Sequence, residues 1–179
     1  MKASAILTTA ATAITTAMAA DLSAYRAGAG VEPELEAFLS AYFPFSEDPA
    51  ATTSWTDWWA ADGSITFRGR IYDSAAKRQA LKRSILPADG SITWNHVVGQ
   101  VTFAAETARS KTFSESVIVE IGNKAKGTCA GFKGNVIAEI KKTNGKVDLR
   151  HHAGNYLTYV LDLPQKPNVP CGTQPRATL

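Results

Sequence analysis

The sequence predicts an α+β domain in which a strongly bent, mainly antiparallel (mixed) sheet wraps around helices that come first in the chain. Three observations carry this. Helical periodicity is confined to the first half of the chain, up to Leu86. Four long stretches of strand character follow with no helix between them. Near the end, Asn144-Gly145 marks a two-residue hairpin, because both residues tolerate the positive φ of a type I′ turn. Such a sheet must cover its apolar face with the preceding helices, and bending it over a long first helix leaves a cone-shaped cavity between them.

Taken in order, residues 20–30 are Ala- and Gly-rich with no period and read as a mobile lead-in. Glu32-Pro33-Glu34 opens a helix, with Pro33 in the first turn where its missing N–H costs nothing. Leu35, Phe38, Leu39, Tyr42 and Phe43 fall at i, i+3, i+4, i+7 and i+8, one apolar stripe, and Pro44 is expected to end it. Residues 46–49 form a turn. Thr53 or Ser54 then caps a short helix with Trp55, Trp58 and Trp59 on one face, stopped by Asp62-Gly63. Residues 64–72 alternate, with Ile65, Phe67 and Ile71 apolar, and predict a strand with a bulge at Gly69. Asp73 caps a third helix over 74–86, which Pro87 ends. Strands are predicted over 92–103, 112–121, 133–142 and 146–159, as a meander of hairpins. The tail, 163–179, carries four prolines and is irregular.

The chain of 179 residues suits one domain. Lys2, the uncharged stretch 3–17 and Ala17-Met18-Ala19 read as a signal peptide over 1–19, too short to span a bilayer. The expectation is a secreted, extracellular protein, free of the membrane after cleavage. Cleavage would remove Lys2 and no acid, taking the formal charge from +3 to +2 (18 basic minus 16 acidic residues). That excess is no footprint for nucleic acid. Lys77-Arg78, Lys82-Arg83 and Lys141-Lys142 read as solvated faces. Cys129 and Cys171 are an even pair in an exported chain and predict a disulfide pinning the tail to the sheet. It would close a loop of about 43 residues and stabilise by roughly 4 kcal/mol. No phosphate loop, nucleophile elbow or zinc motif is present, so neither metal nor organic cofactor is expected.

The order of elements resembles the nuclear transport factor two-like fold, over roughly residues 31–162. Within it the chain looks most like secreted fungal members of the SnoaL-like and scytalone dehydratase-like group. The residues that carry this are the run 58–67 (WWAADGSITF), a helix-to-first-strand passage; Arg78, Leu81 and Ile85 on the next helix; and 94–99 (WNHVVG), similar to the strand bearing a cavity histidine. The resemblance implies a ligand cavity containing His96, a polar or acidic residue near Asp48, and a homodimer through the open sheet face. A second cavity histidine, which the family places in the strand 112–121, is missing; Ser114, Glu115 and Ser116 stand there.

The candidate chemistry rests on few residues. Glu115 shares a strand face with Phe113, Val117, Val119 and Ile121. It is either a buried carboxyl tuned upward as a general base or a group at the cone's mouth that reaches water. A strand register with an odd residue sum would put His96 and Glu115 on one face. His151 on a regular strand would face the cavity or sit satisfied in the core, with His152 on the opposite side. Tyr42, Trp58 and Tyr72 are further candidate ligand contacts, though tryptophans on an amphipathic helix more commonly pack as core. Three readings follow: a secreted binder of a small hydrophobic molecule; a cofactor-free lyase or isomerase using His96 with Asp48 or Glu115; and a secreted interaction protein of effector type.

Overall fold

The computed structural model describes residues 20–172. The expected signal peptide, 1–19, and the end of the tail, 173–179, lie outside the described residues. The chain runs β1 (Arg26–Ala27), α1 (Leu35–Glu47), α2 (Thr52–Thr56), β2 (Trp59–Phe67), β3 (Arg70–Tyr72) and α3 (Ala75–Ile85). It continues with β4 (Ile92–Glu106), β5 (Ser110–Asn123), β6 (Thr128–Thr143), β7 (Lys146–Val147) and β8 (Tyr156–Asp162). One mixed sheet has the order β1-β4-β5-β6-β8-β2-β3, with β7 beside β6. The meander from β4 to β8 is antiparallel, while β2 joins β8, and β1 joins β4, in parallel. Bulges interrupt β4 between Val98 and Val101 and between Phe103 and Ala105, and these irregularities help the long strands curve. This is the predicted α+β architecture, a large curved mixed sheet with its helices drawn from the first half of the chain.

The stripe Leu35, Phe38, Leu39, Tyr42 and Phe43 is buried, as its spacing predicts. Phe38 and Tyr42 meet Trp58 and Tyr156 edge-on, at ring distances from 5.1 to 5.6 Å, so α1 lies in the concave face of the sheet. Pro44 does not end α1, which runs one further turn to Glu47. The carbonyl of Ser40, deprived of its usual donor, belongs to an exposed residue that water can reach. The Lys82 side-chain nitrogen donates to the carbonyls of Phe45 and Ser46 and satisfies the final turn. The second helix is shorter than expected: Ala51 caps it without a side-chain bond, and Trp59 already belongs to β2. Gly63, expected as a helix stop, lies within β2, where a Cβ would stand 2.6 Å from the carbonyl of Tyr156; the strand passes too close for any side chain. At α3 the cap is Ser74, which accepts from the Lys77 N–H, and Asp73 instead pairs with Lys77 at 2.7 Å.

Three further expectations change. Arg68 and Gly69 both have positive φ and close a β2–β3 hairpin, so Gly69 is a turn residue and no bulge. The expected strand 146–159 breaks between β7 and β8. There Asp148 accepts both arms of Arg150 (2.8 and 2.7 Å) and the Thr143 hydroxyl, while the Asn155 amide donates to the Asp148 carbonyl. Local side-chain bonds thus outcompete the ladder. Residues 20–30 are no free lead-in: Asp21 bridges to Val97 and β1 extends the sheet beside β4. The Asn144-Gly145 turn has the predicted positive φ at both residues. Cys129 and Cys171 are joined, with Cα atoms 5.9 Å apart, and Val169 bridges Gly131, so the tail lies against β6.

Candidate functional site

A cavity opens where α1, α2 and α3 meet the concave face of the sheet. Tyr42 and Ser46 come from α1, Trp55 from α2, Leu81, Lys82 and Ile85 from α3, and His96 and Trp94 from β4; Tyr159 and Phe67 complete much of its wall. It holds about 40 Å³ for water-sized occupants, and about 490 Å³ of empty space counted out to its mouth. The inner part has room for a few waters or a short aliphatic group, and a larger ligand must displace side chains.

Its polar groups come from separate elements. His96 is 3% exposed, held between the rings of Phe43 (4.8 Å) and Trp94 (5.9 Å). Glu47, in the last turn of α1, accepts from the backbone N–H of His96 at 2.7 Å and faces its Nδ1 at 2.9 Å through the same oxygen. That double contact fixes the ring and leaves Nε2 as the nitrogen open to a ligand. Tyr42 accepts from the Trp55 indole N–H at 3.2 Å, and burial raises the pKa of its phenol. Lys82 is 2% exposed, and burial pushes its amine down to about 7 against the opposing pull of Asp48 and Glu47. A buried His–carboxylate pair can move a proton on a bound carbonyl or hydroxyl, with Tyr42 as donor to a developing oxyanion.

The structure brings only two of the sequence candidates, His96 and Tyr42, to this cavity. Asp48 caps the end of α1 and accepts the Ala50 N–H at 2.8 Å; its neighbour Glu47 makes the contact to His96. Glu115 does share the concave face with His96, since Val119 on the same side of β5 pairs with His96. Four residues separate Glu115 from Val119, however, roughly 14 Å along the strand. Glu115 is 1% exposed, pairs with Val101 and Val136, and neither oxygen has a partner among the described residues. Burial pushes its carboxyl up to about 8, so it stands as a neutral acid at pH 7 and does not reach water at a mouth.

Trp58 is fully buried in the aromatic core, and Tyr72 packs half-buried on β3. Neither lines the cavity. His151 and His152 stand in the turn before β8, both exposed, 5.7 and 4.8 Å from the Trp58 ring; the strand alternation expected for them does not apply. Glu47 and Lys82 are the residues sequence reasoning missed. Glu47 continues the stripe of Leu35, Leu39 and Phe43 at i+4, hidden by the expected stop at Pro44. Lys82 falls with Arg78, Leu81 and Ile85 at i, i+3, i+4 and i+7; burial on that stripe overturns the solvated reading for Arg78 and Lys82, while Lys77 and Arg83 are exposed as expected. Arg78 is 1% exposed and donates to the carbonyls of Gly63 and Ala60, tying α3 to the irregular start of β2.

No family model matches the chain, and no curated protein sequence matches it. Solved structures do. Aln2 from a Streptomyces species is 12% identical with a TM-score of 0.56, over 74% of this chain and 93% of that one. ActVI-ORFA from Streptomyces coelicolor is 10% identical with a TM-score of 0.51, over 72% and 96%. An NTF2-like protein of unknown function from an Exiguobacterium species is 13% identical with a TM-score of 0.52, over 72% and 99%. At such identities the likeness speaks for architecture alone, and the architecture of this chain is the nuclear transport factor two-like fold.

Proposed function

We propose that this protein binds a small, largely apolar molecule carrying one polar group in the cavity beneath α3. The observation that carries the reading is that Tyr42, Lys82 and His96, from three separate elements, line one mainly apolar pocket. Polar atoms so placed fix orientation, and the apolar wall supplies affinity. The test is a thermal-shift panel of short alcohols, ketones and aldehydes. The expected outcome is a concentration-dependent rise in Tm for a subset; a panel that leaves Tm unmoved removes the reading.

The His96–Glu47 contact supports a second reading, a cofactor-free lyase or isomerase. His96 would shuttle a proton through Nε2 while Glu47 holds the ring. Turnover of a bound compound that survives H96Q unchanged would exclude it. Export to the extracellular space belongs to the same proposal, supported by the disulfide and by the lack, among the described residues, of any helix long and apolar enough to cross a membrane. Kinship with the secreted fungal SnoaL-like group, and a homodimer through the outer sheet face, are proposed on the resemblance alone. A monomeric mass in native mass spectrometry removes the dimer.

A further inference from the structure

Lysines in the middle of an amphipathic helix normally reach water. Lys82 does not: it lies in the buried stripe of α3, it is one of the residues lining the cavity, and its amine lies 5.1 Å from the ring of Trp55, another lining residue. Among the described residues no carboxylate forms an ion pair with it. Its hydrogen bonds there go to two carbonyl oxygens at the end of α1, those of Phe45 and Ser46. A neutral amine has two N–H donors and one lone pair. Two carbonyl acceptors therefore satisfy it completely as a donor and leave the lone pair over. An ammonium in the same place would carry a third N–H and a charge that burial disfavours more than Asp48 and Glu47, both beyond ion-pair distance, favour it.

We infer that Lys82 is a nucleophilic amine that captures a short, uncharged aldehyde or ketone in the cavity as an imine, an inference that rests on the cavity being the ligand site. In the capture, the nitrogen lone pair forms a bond to the carbonyl carbon. The C=O π pair moves to oxygen, which takes a proton from the amine to give a carbinolamine. The remaining nitrogen lone pair then expels the hydroxyl, which leaves as water with one added proton. Loss of the last N–H proton leaves the neutral C=N bond. The sum is amine plus carbonyl giving imine plus water, with no redox change. His96 belongs to the same cavity and is the group there able to lend and recover the proton. The small inner volume limits the captured carbonyl to a few carbons, and the apolar wall selects against charged ones.

The experiment treats the purified protein at pH 7 with butanal and sodium cyanoborohydride. The reagent's hydride reduces an imine to a stable secondary amine, which peptide mass spectrometry locates. Lys82 is expected to be alkylated at least ten-fold faster than Lys77, whose side chain is 59% exposed, because an ordinary lysine is almost wholly protonated at pH 7. K82R keeps donors for the Phe45 and Ser46 carbonyls but cannot condense, so it should lose the fast site and retain the slow ones. Saturation-transfer NMR with 1-butanol, which fits the same space and forms no imine, reads the cavity separately. Butanol binding with Lys82 labelled no faster than Lys77 overturns the imine and leaves the binding site standing. No butanol binding together with no fast labelling overturns both.

Discussion

Two buried carboxyls on the concave side of the domain meet opposite fates. Glu47 accepts two N–H groups of one residue, His96, while Glu115 finds no donor for either oxygen among the described residues. The first is wired to a ring that opens on a cavity. The second sits between Val101 and Val136 and has given up its charge. Burial alone therefore does not make a carboxyl a working base. What decides is whether a donor lies within hydrogen-bond reach, and here the last turn of α1 supplies one and the middle of β5 does not.

The largest expected effect tests the unpaired end. Glu115 holds its proton up to about pH 8 when folded and to about 4.5 when free. The folded state thus binds more protons in between. The contribution of the neutral form is complete below about pH 4.5, and is lost as pH rises through about 8. E115Q, which cannot titrate, should remove this loss, about 5 kcal/mol, and flatten the slope of unfolding free energy over that window. Urea unfolding from pH 4 to 9 reads the slope; an unchanged slope would mean that Glu115 is solvated or paired.

Lys82 gives the next effect with the opposite sign. Its amine is held near 7 when folded and at 10.5 when free, so the unfolded state binds more protons between them and stability rises with pH there. The gain should be about 5 kcal/mol, the same size as for Glu115 because the two shifts are equal. K82M should abolish the rise. Together the two groups predict a minimum in wild-type stability between about pH 7 and 8, which each variant shifts from its own side.

The smallest effects sharpen the paired end. In E47Q an amide oxygen still accepts both His96 contacts, so stability should change by about 1 kcal/mol or less. H96Q loses the ring contact but keeps the backbone N–H on Glu47, and should cost about 1–2 kcal/mol. If the proton-transfer reading holds, kcat for a found substrate falls by 10²-fold or more in H96Q, far beyond what so small a loss of stability explains.

Much of the fold was legible, because helix and strand periods and the Asn144-Gly145 turn are local signals. The apolar stripe of α1, the run of long strands after Leu86 and the burial of the Glu115 face all follow from spacing within one element. Errors arose where tertiary contacts overrode a local rule. Pro44 is a helix stop in isolation, yet Lys82 from α3 satisfies the turn beyond it. Residues 148–155 alternate like a strand, yet Asp148 and Asn155 bind their own loop. Residues 20–30 have no period, yet β4 offers them an open edge.

The site divides along the same line. His96 and Tyr42 were visible from the resemblance and the stripe, and Glu47 and Lys82 stood in the sequence as charges at apolar positions of a helical period. That each charge is buried, and which partner each meets, depends on contacts across 49 residues for Glu47 with His96 and 37 for Lys82 with the Phe45 carbonyl. Period and turn chemistry act between neighbours along the chain, so the sequence by itself determined the elements and which face of each is apolar. The cavity, its paired His96 and its lone amine come from the packing of α1 and α3 on β4, which strand register and helix docking decide together.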